Sequence, residues 1–140
     1  MIVYLDASVI VALLTQDLFT DRAKAFLSRG TPALMVSDYA AAEYASVVAR
    51  RVRTKALTVA EGVAAFSILD VWTARAVRRV DITSADIVAA TGFLRRLDLT
   101  LRTPDAVNVA IAQRVGATLV TFDTQMAANA VALGLLVAAA

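Results

Sequence analysis

The sequence predicts an α/β fold, a parallel sheet of about five strands with helices packed on both faces. Three observations predict it. Short apolar runs alternate with helix-length segments along the chain. Cap residues stand before most of those segments, and glycine follows several of them. The length of 140 residues suits one domain, spanning 1–140, without a repeat, linker or low-complexity stretch.

Ile2-Val3-Tyr4-Leu5 is a short apolar run that ends at Asp6, as a buried parallel strand would. Residues 8–15 follow as a short helix. Thr20 is placed to cap a helix over 21–29 that Gly30 stops. Residues 33–36 form a second strand, and Ser37 caps a helix running to about Arg53. Thr58 and Glu61 make a T-x-x-E capping box for a helix through Asp70 or beyond. Residues 76–80 are a weak strand, and Thr83 with Asp86 repeats the cap spacing for a helix to about Leu97. Thr103-Pro104 reads as N-cap and first helical residue of a helix that Gly116 ends. Residues 117–121 have the clearest β-branched content. A helix over 124–133, stopped by Gly134, and a strand over 135–137 complete the chain.

Composition removes much of enzymology. There is no His, hence no imidazole base, no Ser-His-Asp triad and no His-ligated zinc. There is no Cys, hence no thiol nucleophile, disulfide or thiolate metal site. Only Lys24 and Lys55 supply ammonium groups, neither within a P-loop, and five scattered Gly give no dinucleotide-binding loop. The hydrophobic fraction of 59% includes 30 Ala, so it reflects small helix formers rather than a lipid-facing surface. Asp6 interrupts the first apolar run, and no basic segment precedes it, so no signal peptide is expected. The charge-free stretch 124–140 is broken by Thr124, Gln125, Asn129 and Gly134, so no membrane span is expected either. A soluble cytoplasmic protein is the expectation.

Any chemistry therefore falls to carboxylates, hydroxyls, Arg and a metal. In doubly wound sheets, ligands sit beyond the carboxyl ends of the strands. Asp6 ends the first strand, Asp123 lies just beyond the late strand, and Asp105 is in the first turn of the Thr103-Pro104 helix. Glu43 lies on an apolar helix stripe with Ala40 and Val47, where an acid requires a partner. Each also has a structural reading. Asp6 is a turn former, Asp105 a helix-dipole partner, Asp123 an N-cap and Glu43 the partner of an Arg. Converging carboxylates repel by about 4 kcal/mol per close pair at an effective dielectric near 20. Protonation or a hard cation relieves that, and an all-oxygen set suits Mg²⁺ or Mn²⁺. One or two such ions activate water for phosphodiester hydrolysis without any His.

The chain resembles PIN-domain ribonucleases, specifically VapC-type toxins of bacterial toxin–antitoxin pairs. The resemblance rests on Leu5-Asp6-Ala7-Ser8 with the apolar run after it, and on Ser37-Asp38-Tyr39 with Glu43. It continues through Thr103-Pro104-Asp105-Ala106 with Ala110 and Ala112, Thr121-Phe122-Asp123, and the Ala-Leu-Gly-Leu at 132–135. It implies a three-layer α/β/α sandwich on a five-stranded parallel sheet. It implies Asp6, Glu43, Asp105 and Asp123 as an acidic cluster binding Mg²⁺ or Mn²⁺, with Ser8 and Thr121 orienting carboxylates or water. It implies an RNA substrate, a homodimer and a cognate antitoxin that lies across the toxin and brings a basic side chain near the site. Asn108 departs from the pattern, since these proteins often carry His there.

Arg50, Arg51 and Arg53 form the densest basic cluster. They read as a helix C-terminus complementing its dipole or as a phosphate-contacting ridge, with Arg102 a further candidate. Setting aside the four acids leaves a body of about +6 around an acidic pocket, a division that attracts both divalent cations and a polyanion. The nine aromatics are spread along the chain and read as core, with no stacking platform evident. Two other functions compete. A catalytically silent PIN-like module would contact RNA or a partner only. A receiver-type phosphoacceptor would need paired acids after the first strand and a late Lys, but Asp6 stands alone and no Lys follows Lys55.

Overall fold

In the computed structural model, which describes residues 1–138 and 140, five short segments become strands. They are β1 (Ile2–Leu5), β2 (Ala33–Ser37), β3 (Arg78–Val80), β4 (Thr118–Val120) and β5 (Val137–Ala138). All pairings are parallel, in the order β3-β2-β1-β4-β5. Central β1 is covered on both faces, as its unbroken apolar run requires. A receiver domain has the order 2-1-3-4-5, so that reading fails on topology. The order found here reverses direction between β1 and β4. The crevice beyond their carboxyl ends is therefore where a ligand site is expected.

Seven helices connect the strands among the described residues. α1 (Ala7–Leu14), α2 (Thr20–Ser28), α3 (Asp38–Arg53) and α4 (Val59–Ala76) pack on one side, against Val3, Leu5, Val36 and Val120. α5 (Ser84–Arg95), α6 (Thr103–Arg114) and α7 (Thr124–Ala132) pack on the other, against Tyr4, Met35, Val80 and Leu119. The alternation of Val3, Tyr4 and Leu5 between two cores makes the three-layer sandwich. α6 is buried at every residue from Ala106 to Ala112, which suits its Ala and Val content. The small residues at the start of α4 let it approach α3. A Cβ on Gly62 would stand 2.8 Å from Val52 Cγ2.

The capping boxes at Thr58/Glu61 and Thr83/Asp86 form as their spacing predicts, and Ser37 caps α3. Two expected caps do not. Phe19 occupies the N-cap of α2, and Thr20 Oγ instead accepts from the Asp17 amide and donates to the Thr15 carbonyl. Arg102, not Thr103, is the N-cap of α6, because the Asp105 carboxylate bonds back to the Arg102 amide at 3.2 Å. α1 begins at Ala7 since Asp6 itself caps it. The last strand lies two residues later than the pattern suggests, because its register is set by pairing Val137 with Leu119. Among the described residues no helix is long and apolar enough to cross a membrane.

One buried ion pair fastens α5 to α6. Asp86, 1% exposed, accepts from Arg114 at 2.7 and 3.0 Å and from the Thr83 amide at 2.8 Å. Burial raises its carboxyl pKa, but the bonds from Arg114 and Thr83 outweigh burial and hold it below the ordinary 3.8. Arg114→Ala strands that carboxylate and should cost about 2–4 kcal/mol near neutral pH, Arg114 being partly exposed. A depressed acid stabilises the fold above its unfolded pKa, and the contribution is lost as pH falls through the folded value. Urea unfolding at neutral and acidic pH should therefore show the gap between wild type and Arg114→Ala closing below the ordinary carboxylate range.

Candidate metal centre

Asp6 reaches the crevice because it is both the residue after β1 and the N-cap of α1. It is 5% exposed. Its Oδ1 accepts from Ser8 Oγ at 2.6 Å and the Val9 amide at 3.1 Å, and its Oδ2 from Thr121 Oγ1 at 2.6 Å. Three of about four lone-pair positions are thus used, and the free one is on Oδ2. Burial pushes the Asp6 carboxyl above its ordinary value against the Ser8, Thr121 and Val9 bonds, and the charge of Asp123 adds to the rise.

Asp123 follows β4 and caps α7, its Oδ1 accepting from the Met126 amide at 2.9 Å. Thr121 joins the two acids, since its Oγ1 donates to Asp6 and accepts from the Asp123 amide at 3.0 Å. Ser8 Oγ also accepts from the Phe122 amide at 3.0 Å, so β1 and β4 are tied by two hydroxyls at the site.

Glu43 enters from α3 and is held by a buried relay that the sequence reading missed. Tyr4 Oη donates to Asn108 Oδ1 at 2.7 Å. A phenol has one proton, so Ser37 Oγ is the donor in its 2.6 Å contact with Tyr4. That fixes the Asn108 amide, whose Nδ2 donates to Glu43 Oε1 at 2.6 Å and to the Pro104 carbonyl at 3.0 Å. Tyr4 and Ser37 are fully buried and Asn108 is 2% exposed. The signal was the hydroxyl itself, because a Tyr inside an aliphatic strand must find a partner. Burial raises the Glu43 pKa to about 7; the Asn108 bond opposes the rise, and the charges of Asp6 and Asp105 add to it.

Asp105 stands in the first turn of α6 with its side chain 17% exposed, and Arg102 Nε lies 3.9 Å from it at the rim. The four acids thus share one negative field, with neutral donors inside it and one Arg at its edge. They do not form a closed cage. Among the described residues, no group of three acidic side chains is close enough to hold an ion as placed. The donor set still fits a hard divalent cation. It is all oxygen, it contains a buried carboxylate with a free lone pair, and its charge has no internal cation to balance it.

A model of the PIN domain matches residues 3–132. The chain belongs to the PIN-domain family. Among solved structures, this PIN domain is similar to VapC20 of Mycobacterium tuberculosis, described as a sarcin-ricin loop cleaving toxin, with a TM-score of 0.74. The two share 21% identity over 96% of each chain. It is also similar to VapBC2 of Rickettsia felis bound to a promoter DNA fragment (TM-score 0.70, 17% identity, 99% of this chain and 98% of that one). The FitAcB structure from Neisseria gonorrhoeae is alike as well (TM-score 0.70, 17% identity, 97% and 96%). At such identities the likeness is one of fold. No curated protein sequence matches the chain.

The basic candidates of this PIN domain divide. Arg50 is exposed and lies two turns beyond Glu43 on the same side of α3, about 10 Å along its axis. Arg53 and Arg102 are exposed as well. Arg51 is engaged, its Nη1 donating to Thr15 Oγ1 at 3.0 Å and so tying α3 to the end of α1. The aromatics are not all dispersed in the core, either. Phe19 and Phe122 stack at 4.7 Å beside the crevice.

In the metal-free protein one glutamate carboxyl should titrate near pH 7 by carbon-detected NMR. Tyr4→Phe frees the Asn108 amide to turn, so it should raise that value further and cost about 1–3 kcal/mol of stability. Between 4.5 and about 7 the folded state binds more protons at Glu43 than the unfolded chain, so stability falls as pH rises through this window. Glu43→Gln should flatten that slope, and identical slopes in urea unfolding of the two proteins would contradict the assignment.

Proposed function

We propose that this PIN domain is a metal-dependent endoribonuclease, the toxin of a toxin–antitoxin pair, that hydrolyses RNA phosphodiester bonds in the cytoplasm. The observation that carries the reading is the shared negative field of Asp6, Glu43, Asp105 and Asp123, with buried Asp6 bonded only to neutral donors. A structural neighbour described as a sarcin-ricin loop cleaving toxin supports it, as does a chain without the His or Cys of a nucleophilic triad.

The four acids would hold Mg²⁺ or Mn²⁺. Such an ion supplies an activated water and charge compensation for the phosphoryl group. The protein's own part is placement. Ser8, Thr121 and the Val9 amide fix Asp6 and leave one Oδ2 lone pair unused. Asn108 sets the Glu43 carboxylate from one side, and its orientation is dictated by Tyr4. Arg102 at the rim, with Arg50 and Arg53 along α3, offers guanidinium forks to a phosphate backbone. An apolar groove of about 500 Å³ lined by Leu14, Ile68, Val71, Trp72 and Arg75 supports an antitoxin partner. Exposed Val59, Val63 and Phe66 on α4 leave apolar surface that a homodimer would cover.

The absence of a closed three-acid cage among the described residues favours a second reading, a silent module that contacts RNA or a partner only. Two measurements separate them. With Mg²⁺ or Mn²⁺, the purified protein should cleave single-stranded RNA, and Asp6→Asn should lower the rate ~100-fold or more. Asn caps helices as well as Asp does, so the fold is preserved. Calorimetric titration should show Mn²⁺ binding that weakens in the same variant. No cleavage and no Mn²⁺ binding by the wild type decide for the silent module, whereas equal cleavage by the variant overturns the metal site built on Asp6.

A further inference from the structure

Beside the acidic crevice lies an open groove of about 420 Å³ lined by Phe19, Arg22, Thr121, Phe122, Ala127 and Val137, among others. Its floor includes the Phe19–Phe122 pair, with ring centroids 4.7 Å apart and planes inclined by only 9°. Both rings are partly exposed. The guanidinium of Arg22 stands 5.5 Å from one centroid and 5.2 Å from the other. Near-equal distances to two stacked rings place it beside the pair, not on an outer face. The outer faces are thus not covered by the cation.

Three features mark this pair as built for contact. Phe122 lies between Thr121 and Asp123, and its amide donates to the Ser8 hydroxyl that holds Asp6, so the ring is rigidly registered to the acids. Phe19 is fixed by a turn in which its amide donates to Asp17 Oδ1 at 2.8 Å. It also occupies a helix N-cap without any side-chain cap bond, where Ser, Thr, Asp or Asn would stabilise α2 by about 1 kcal/mol. A local rule is broken beside a candidate site, the pattern expected where function opposes stability. Arg22 is exposed and spends two N–H groups on the Ala140 carbonyl, leaving three of the guanidinium's five donors free.

We infer that the Phe19–Phe122 pair and Arg22 form a nucleotide subsite, in which a base of single-stranded RNA stacks on the aromatic pair and Arg22 takes its phosphate. The inference rests on the nuclease reading for its ligand class. Flat π surface next to a guanidinium with unused donors matches a nucleotide, which is a planar base joined to a monoanion. Thr121 lines the groove and also donates to Asp6, so the subsite adjoins the acidic crevice. Stacking reads no hydrogen-bond code, so the subsite adds affinity and register for single strands rather than sequence choice.

The test is fluorescence anisotropy with fluorescein-labelled octa-adenylate and with an abasic octamer of the same charge, in Ca²⁺ buffer at fixed salt. Wild type should prefer octa-adenylate. Phe122→Ala and Phe19→Ala should lower its affinity about ten- to hundred-fold and leave the abasic octamer nearly unchanged. Phe122→Tyr should bind as wild type. Phe122→Leu, which keeps apolar packing without a ring face, decides the matter should the Ala variant melt early. Arg22→Ala should weaken both ligands alike and reduce the salt slope by about one. Wild type that binds both octamers equally, or Phe122→Leu that binds octa-adenylate as tightly as wild type, overturns the subsite. So does a Phe122 variant that loses only affinity for an antitoxin peptide. Because binding is read without cleavage, base-dependent binding by a protein that cuts no RNA sinks the nuclease reading alone. Cleavage without base dependence sinks the subsite alone.

Discussion

The Asp6 carboxylate sits where β1 ends, almost without solvent, and the chain around it is arranged to keep it there. Moving an ionised carboxylate into a poorly hydrated site costs several kcal/mol unless polar groups replace the lost water. Ser8, Thr121 and the Val9 amide do so, and each ties a further element to the site. The Val9 bond starts α1, the Thr121 bond locks β4 beside β1, and Ser8 holds the Phe122 amide. The junction at which the strand order reverses is therefore organised around one acid. Losing its bonds would loosen the sheet's central pair as well as the crevice.

A second buried chain works on Glu43 from the opposite face of the sheet. Ser37 to Tyr4 to Asn108 to Glu43 is directional, because the Asn108 carbonyl only accepts and its NH2 only donates, and the phenol has one proton to give. An imidazole at 108 could offer Glu43 a donor only by choosing a tautomer or taking a charge. Asn offers the same donor at any pH and accepts from Tyr4 at the same time. Asn at this position therefore bonds Glu43 without placing a titrating group in the crevice. It also explains how a half-buried acid on an apolar stripe of α3 is tolerated without an Arg beside it.

Much of the fold was legible because its signals are local. Apolar runs, two capping boxes and a Ser N-cap each depend on a few neighbouring residues, and each formed where the pattern put it. The misses were tertiary. Thr20 is a better cap than Phe19 by propensity, but its hydroxyl is taken by the Asp17 amide and Thr15 carbonyl, and Phe19 is claimed by Phe122. The last strand takes its register from β4, which its own residues do not encode. The acids were legible as residues after strands and at helix starts. The relay behind Glu43 was not, since Tyr4 and Asn108 are 104 positions apart and only the folded sheet brings them together.

Structural and chemical readings of the acids turn out not to compete. Asp6 and Asp123 are both N-caps, each using Oδ1 to satisfy a backbone amide. A helix needs only one carboxylate oxygen for this. The other can face outward, and the positive end of the helix lowers the cost of its charge. Asp105 follows the same division, with Oδ2 bonded back to the Arg102 amide. Three helix starts therefore present three carboxylates at one end of the molecule, each anchored to its helix through one oxygen, with Asp6 held through its second by Thr121 as well. Glu43 lacks that arrangement, lying in the second turn of α3 rather than at its cap. Burial pushes its carboxyl up to about 7 and also raises that of the more deeply buried Asp6, so both hold their charge at a cost.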